Sequence, residues 1–541
     1  MNAASEYKRW ASSGVFADEL RAIAENEAEI EARFWKHLSF GTGGLRGVLG
    51  AGTNRMNELT IRRATQGFAD YIRENGGKAI CIAYDTRNMS REFAEFAAET
   101  LCANKIKVFM FTETRPTPML SFAVREKKAF GGIVITASHN PREYNGYKVY
   151  GADGGQITDE AAKAISTRIN SYDILSEREQ MPLDFARDNR LLFDLDEVDD
   201  AYYEKVKALI TRDKLVAENA GKLGVLFTPL HGSGNIPVRR VLGELGFTNL
   251  AVVEGQELPD GDFPTVPYPN PEEPESFTLA LGQADGQDII LATDPDCDRI
   301  GVQARLKGRK HKYAPLTGNQ IGALLAEYLI TAKKEAGILP KNPAIIKTIV
   351  TTELARKICE QNNIALVETL TGFKYIGEKI GEWEKNGEHS FLLGFEESYG
   401  YLAGDFVRDK DAVIAAALIC EMALYYKLNG LTLHCALKEL HERYGYAEEK
   451  LISTALDGAD GMEKMNQIMT SFRAFKGAEV EDYLKGVNNL PKSDVVKLLF
   501  ADGSWLAVRP SGTEPKIKFY LGAASEKRLE ELNEIIKKTC P

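Results

Sequence analysis

At 541 residues, 44% hydrophobic and 27% charged, the chain has an ordinary globular composition and the length of three or four domains at ~100–200 residues each. A net charge of −11 argues against nucleic acid or an anionic membrane as partner, yet leaves an anionic substrate open, because a local cationic cleft can sit within an acidic protein. No run approaches the ~18 apolar residues of a membrane span, the N-terminal MNAASEYKRWASSG holds no apolar signal core, and cysteines scattered at 81, 102, 297, 359, 420, 435 and 540 without a CxxC pair read as reduced thiols of a cytoplasmic protein.

Residues 1–39 read as a helical lead-in ahead of GTGGLRG at 41–47. Alternating units follow: a helix through TIRRATQGFADYIREN, a strand at KAICIAYD, a helix after Ser90, and strands at IKVFMF and GGIVITA. Strands about 30 residues apart with helices between them predict parallel βαβ units. The pattern restarts with the helix EVDDAYYEKVKALI, the strand LGVLFTPL, a Gly-rich turn HGSG, and strands at NLAVVEG and QDIILATDPD. Within this round ELPDGDFPTVPYPNPEEPES, 257–276, is too rich in Pro for an element and reads as a loop. A third round runs from LTGNQIGALLAEYLI through AIIKTIV, IALVETLTGFKYIGEKI and SFLLGFEESYG to two closing helices. The first of these holds AVIAAALIC, 412–420, between Asp411 and Glu421, which reads as a buried helix. The last ~95 residues differ, with DVVKLLFADGSWLAVRPSGTEPKIKFYLGAA and a charged terminal helix. The expected fold class is therefore α/β: three similar α/β domains plus a smaller C-terminal α+β domain around a central cleft. Boundaries are expected at 1–197, 198–312, 313–445 and 446–541.

In open α/β sheets ligands gather at the carboxyl ends of strands, and four loops stand out there. ITASHNPREYNGYK, 135–148, carries Ser138 out of a buried-type strand, with Lys148 ten residues later. A bare serine is a poor nucleophile, GxSxG is absent, and adjacent side chains such as Ser138 and His139 rarely meet in extended backbone. A plain turn stays open as the alternative. ATDPDCDRIGV, 292–302, alternates Asp294, Asp296 and Asp298 after an apolar strand. A two-residue repeat brings their carboxylates to one edge, where repulsion calls for a hard cation. Mg²⁺ with a position open to a phosphate oxygen fits better than an EF-hand; a solvated acidic turn is the alternative. In LLGFEESYGYL, Glu396 and Glu397 precede Ser398 and Gly400. Such carboxylates either accept hydrogen bonds from sugar hydroxyls or pair with cations across an interface. VRPSGTEPKIK, 508–518, combines Arg509, Ser511, Gly512 and Thr513 with Lys516 and Lys518. By composition this is an anion-binding nest, or else a hairpin-like turn.

In order, TASHNP, DPDCDR, GFEESYG and RPSGTEP, one per expected domain, resemble the α-D-phosphohexomutase superfamily of phosphoglucomutases and phosphomannomutases. The resemblance covers nearly the whole chain. It implies that Ser138 is carried as a phosphoserine, and that Asp294, Asp296 and Asp298, with a phosphate oxygen on Ser138, hold Mg²⁺. It further implies catalytic roles for Lys148, Arg46 in GGLRG and His139, and places Arg299 beside the metal loop. Glu396 and Ser398 match the sugar-hydroxyl loop, and Lys374 in TGFKYIG the basic residue of the third-domain specificity loop. Arg509, Ser511, Gly512 and Thr513 match the grip on the non-reacting phosphate. The implied reaction interconverts glucose 1-phosphate and glucose 6-phosphate, with glucose 1,6-bisphosphate as intermediate and activator. The E-E-S loop resembles glucose-directed members, whereas the lead-in and GTGGLRG resemble the branch that includes phosphopentomutases. Ribose and mannose phosphates therefore stay open. Small sugar phosphates are the expected partners of a monomer or homodimer. Two positions depart from the family. Cys297 stands where Ala or Gly is usual and would make the loop oxidation-sensitive if exposed. Lys518 replaces a frequent arginine, at a cost in bidentate phosphate contact. Closure of the fourth domain about a hinge near 445 is expected to exclude water.

Overall fold

The protein is described from a computed structural model covering residues 1–456, 461–510 and 516–540. Ser511, Gly512 and Thr513 of the expected phosphate loop therefore lie outside the described residues. Four sheets follow one another along the chain. The first contains β1 (Leu45–Val48), β2 (Ala79–Tyr84), β3 (Lys107–Met110), β4 (Gly131–Ile135), β5 (Tyr144–Gly151) and β6 (Leu192–Asp194), in the order β1-β5-β4-β2-β3-β6. The second contains β7 (Val225–Thr228), β8 (Leu250–Val252), β9 (Ile289–Thr293), β10 (Ile300–Arg305) and β11 (Tyr313–Leu316), in the order β11-β10-β9-β7-β8. The third contains β12 (Pro343–Thr348), β13 (Ala365–Thr369), β14 (Ser390–Glu396) and β15 (Gly400–Leu402), in the order β13-β12-β14-β15. The fourth is antiparallel throughout, with β16 (Glu448–Ala455), β17 (Glu479–Asp482), β18 (Val496–Leu499), β19 (Trp505–Pro510) and β20 (Lys516–Ala523), in the order β16-β20-β19-β18-β17.

The first three units share one plan. β4 runs parallel to β2, β9 to β7, and β14 to β12, as the βαβ reading expects. β4 and β9 are buried along their whole length, which suits the continuous apolar runs of strands covered on both faces. Each of these strands then turns straight back into an antiparallel partner, β5, β10 and β15. The parallel βαβ pattern expected from spacing gives way here because the links 136–143, 294–299 and 397–399 are too short. A parallel crossover takes about a dozen residues or more. The three candidate loops of these units are thus equivalent hairpin links.

The second sheet runs past the expected 312/313 boundary, because β11 pairs with β10. The capping box of Thr317 and Gln320 then starts the helix Gly318–Glu335 of the third unit. The helical lead-in proves to be three short helices, Ala3–Ser13, Ala17–Ala22 and Glu27–Phe34, the first stopped by the left-handed Gly14. The helix Ala412–Leu428 is buried from Ala412 to Leu424, as its all-round apolar sequence requires. It packs on the second unit as well as the third, against the helix Asn235–Glu244 and strands β9 and β10. No single described helix is long and apolar enough to cross a membrane. The fourth unit rests on the third through Ile349, Val350 and Leu370 against Tyr483, Val495, Trp505 and Tyr520.

Candidate active site

β4 delivers Ser138 to the sheet edge in the left-handed region, at φ 54°. That conformation costs a non-glycine residue roughly 1–2 kcal/mol, so the surroundings must hold it. It also corrects an expectation drawn from extended backbone: Ser138 Oγ and His139 Nδ1 do meet, at 3.2 Å. Ser138 Oγ donates to Asp294 Oδ2 at 3.0 Å, so His139 serves that oxygen as donor through Nδ1. Burial, reinforced by Arg299 and Arg46, holds the His139 pKa well below its ordinary value, and the ring is neutral. Arg46, on β1 opposite Gly146, reaches the same loop and donates to Asn140 Oδ1 at 3.2 Å.

Asp294, Asp296 and Asp298 are buried, and one carboxylate oxygen from each lies within 4.8 Å of the others. The left-handed Cys297 curls the loop so that the backbone N–H groups of Asp298 and Arg299 donate to Asp294 Oδ1 at 3.0 Å each. Lys148, on β5, and Thr117 donate to Asp296 Oδ2 at 2.8 and 2.9 Å. Lys410 Nζ lies 3.0 Å from Asp298 Oδ2 and 3.3 Å from Asp409 Oδ1. Asp296 Oδ1 and Asp298 Oδ1 remain buried with no hydrogen-bond partner. Two such oxygens beside Asp294 and Ser138 are the hard donor set that Mg²⁺ takes, and the residues fit it. Burial, followed by mutual repulsion, raises the pKa of Asp294 and of Asp298. For Asp296 burial pushes up too, but the Lys148 ammonium outweighs it and keeps the carboxylate charged. Cys297 is fully buried, and a Cβ on Gly234 would come within 2.7 Å of its Sγ, so the thiol fills the space that glycine leaves. Burial and then Asp294 push that thiol well above its ordinary pKa, which removes the oxidation sensitivity expected of an exposed cysteine.

A cleft of about 420 Å³ opens beside this cluster. Its walls include His139 and Arg299, the hairpin link Glu397–Ser398 with Glu396, and Arg509, Lys516 and Lys518 of the fourth unit. Glu396 Oε1 accepts from Gly372 N at 2.8 Å. Burial and the adjacent Glu397 push its carboxyl up to about 7. Glu397 accepts from Thr348 and Thr351 at 3.3 and 3.2 Å. Arg509 and Lys518 are direct cross-strand partners, so two cations project from one place on the sheet. Lys374 is absent from this lining: its ammonium lies 3.0 Å from Asp159 Oδ1 and 3.3 Å from Thr42 Oγ1, at the seam between the first and third units.

Several site residues escaped sequence reasoning. Lys410 sits in RDKDA just ahead of the buried helix, where one cation among acids next to an apolar run was the available signal. Thr117 carried none. The Pro-rich segment 257–276 proves to be a cleft wall, through Tyr268, Asn270, Glu272 and Glu273, with Glu272 paired to Arg299.

Comparison with known proteins returns the same architecture. Four family models match in order: domain I of phosphoglucomutase/phosphomannomutase over 37–175, domain II over 200–307, domain III over 317–444 and the C-terminal domain over 464–539. A curated phosphoglucomutase of Staphylococcus haemolyticus is 39% identical over 91% of each chain. One from Staphylococcus aureus strain USA300 is 37% identical over 92% of each. Two solved structures share the fold at lower identity. A phosphoglucomutase/phosphomannomutase family protein of Burkholderia thailandensis matches at TM-score 0.69 and 21% identity, covering 93% of this chain and 96% of the other. The open form of parafusin from Paramecium matches at TM-score 0.69 and 19%, covering 93% and 95%. With every domain matched in order and relatives of near-full length at 37–39% identity, this chain belongs to the phosphoglucomutase/phosphomannomutase family.

Proposed function

We propose that the enzyme interconverts glucose 1-phosphate and glucose 6-phosphate, carrying a phosphoryl group on Ser138 and passing through glucose 1,6-bisphosphate. The observation that carries this reading is the 3.0 Å contact of Ser138 Oγ with Asp294, at the edge of a buried carboxylate cluster that keeps two oxygens unpartnered. In the forward step the Ser138 Oγ–P bond breaks as a bond forms from phosphorus to the free sugar hydroxyl; the hydroxyl loses its proton and the departing Ser138 Oγ takes one up, ending as a serine hydroxyl. In the return step the other phosphate of the bisphosphate passes back to Ser138. Such transfers depend on positioning and charge neutralisation more than on covalent chemistry. Mg²⁺ held by Asp294, Asp296, Asp298 and a phosphate oxygen on Ser138 would supply Lewis-acid neutralisation of the transferring group. Lys148, Arg46 and Arg299 add fixed positive charge, and neutral His139 orients Ser138 Oγ. At the far end of the cleft Glu396 and Ser398 serve the sugar hydroxyls. Arg509 and Lys518, with Ser511, Gly512 and Thr513, grip the phosphate that is not reacting. One grip at a fixed distance from Ser138 serves both orientations of the bisphosphate. Lys374, ion-paired with Asp159 at a domain seam, is proposed to turn to the substrate as the resemblance implies.

The near-full-length relatives bearing the name phosphoglucomutase support the glucose reading. The seven free cysteines support a reducing, cytoplasmic setting. The test compares initial rates on glucose, mannose and ribose 1-phosphates at equal concentration, with Mg²⁺ and a trace of glucose 1,6-bisphosphate. Fastest turnover of the glucose ester is expected. Fastest turnover of the ribose ester would keep the phosphoserine chemistry and move the substrate to a pentose. Release of inorganic phosphate with no isomerisation would replace the mutase by a phosphatase.

A further inference from the structure

The left-handed turn at Ser138 needs something to hold it, and the structure shows what does. Arg87 follows β2 in the segment YDTRN, and its side chain is wholly inaccessible to solvent. Asp85 anchors it from behind: Asp85 Oδ1 accepts from Arg87 N at 3.0 Å and from Ser90 Oγ at 2.7 Å, and Oδ2 lies 3.3 Å from Arg87 Nε. The guanidinium then faces a single bend of chain. Nη1 donates to the carbonyls of Pro141 and Tyr144 at 2.8 and 3.1 Å, and Nη2 donates to those of Ser138 and Asn140. One planar fork thus collects four carbonyl oxygens of the Ser138 loop. Beyond the fork the ring of Phe263 lies 5.1 Å from the guanidinium carbon. Phe263 belongs to the Pro-rich segment that also walls the cleft, and that segment is tied beside it by Asn88 Nδ2 donating to Asp262 Oδ1 at 3.0 Å.

We infer that Arg87 is a positioning residue for phosphoryl transfer: its guanidinium fixes the turn that aims Ser138 Oγ at Asp294 and at the sugar hydroxyl. The inference rests on the phosphoserine reading of Ser138. Only arginine presents five donors in a fixed plane, so lysine keeps the charge and loses the fork. Released from the fork, Ser138 relaxes out of its left-handed backbone, and Oγ moves. A displacement of about 1 Å at a reacting atom costs on the order of 100-fold in rate. Arg87 touches no substrate, so the loss belongs in kcat and not in KM.

The test compares wild type, Arg87→Lys and Phe263→Leu. Each is assayed for steady-state mutase kinetics, thermal midpoint, and the rate at which Ser138 takes up phosphate from glucose 1,6-bisphosphate, followed by intact mass. A wild type whose Ser138 neither carries phosphate as isolated nor takes it up overturns the mutase reading itself. Given uptake by wild type, folded Arg87→Lys is expected to lose about 100-fold in kcat and in uptake rate, with KM within about threefold. Retention of kcat within about threefold, or a loss carried by KM, overturns the role of Arg87 and leaves the mutase reading standing. If Arg87→Lys does not fold, Phe263→Leu decides. It removes the ring over the fork, and a cation–π contact near 1 kcal/mol corresponds to an expected fall in kcat of about fivefold at unchanged KM. An unchanged kcat in that variant overturns the inference.

Discussion

At the Ser138 end of the cleft, Ser138, the three aspartates, Lys148 and Lys410 are each no more than 7% exposed, and both lysines are matched to a carboxylate. At the sugar end, Ser398, Arg509, Lys516 and Lys518 are only partly buried, and two adjacent carboxyls, Glu396 and Glu397, have raised pKa values. The first region is finished before substrate arrives; the second keeps hydrogen-bonding and charge capacity in reserve for it. That division follows from the chemistry. Groups that stabilise a transferring phosphoryl act best when fixed in advance in a water-poor site. Groups that must release a bisphosphate and take it back the other way round cannot be saturated by the protein. Substitutions at the first end should therefore act on kcat or on folding, and those at the second on KM.

The largest effect is expected from Ser138→Ala, which removes the proposed phosphoryl carrier from the finished end. Turnover should fall on the order of 10⁴-fold or more, as for the loss of a nucleophile elsewhere, with circular dichroism and thermal midpoint retained. Substantial turnover by the folded variant would remove Ser138 from the mechanism. Next comes Lys410→Met. It leaves Asp298 and Asp409 buried without their cation, and breaking such a pair costs about 3–5 kcal/mol. Urea unfolding in the absence of Mg²⁺ should show a loss of that size. A loss below about 1 kcal/mol would mean that the finished end is not held by its ion pairs.

The contrast between the two ends also explains what the sequence revealed. Asp294, Asp296 and Asp298 were legible because alternation after an apolar strand is a local signal, and their carboxylates come together on the link from β9 to β10. The three α/β units and the α+β unit were legible for the same reason. The hairpin returns β5, β10 and β15 were missed, since period and spacing do not report strand direction. Lys410 and Arg87 were missed because each acts on residues far along the chain, and only the assembled units bring Lys410 to Asp298 or Arg87 to the Ser138 carbonyl. Ser138 and His139 were judged apart on an assumption of extended backbone, which a single left-handed residue cancels. Lys374 was placed by resemblance alone, and its ion pair with Asp159 is a contact between units that no local pattern encodes.

Glu396→Gln probes the open end. Burial raises this carboxyl from an ordinary 4.5 to about 7, so between those values the folded protein holds a proton that the unfolded chain has lost. Stability from this group is full below about 4.5 and is lost as pH rises through about 7. The glutamine variant should therefore show a flatter fall in thermal midpoint across that interval. Binding runs the opposite way, because a sugar hydroxyl donates best to the ionised carboxylate. Wild-type KM should rise as pH drops below about 7, and in Glu396→Gln it should be raised about tenfold and nearly independent of pH, consistent with loss of a charged hydrogen bond. A wild-type KM that is flat across this interval would detach Glu396 from the sugar.

The smallest effect is expected from Lys518→Arg, and it bears most directly on the division between the ends. Lys518 stands opposite Arg509 on the cleft wall, and burial lowers its pKa while Glu272 and Glu397 pull it back up. An ammonium meets a phosphate as a point charge; a guanidinium adds a planar fork beside the one Arg509 already presents. If the open end is limited by its grip, the added fork should lower KM for glucose 1-phosphate by about two- to threefold and leave kcat unchanged, a gain of roughly 0.5 kcal/mol. If KM stays the same or rises, Lys518 is spent on Glu272 and Glu397 as Lys410 is spent on Asp298. The fourth unit would then be pre-paired like the Ser138 end, and the phosphate grip would fall to Arg509 and Ser511, Gly512 and Thr513.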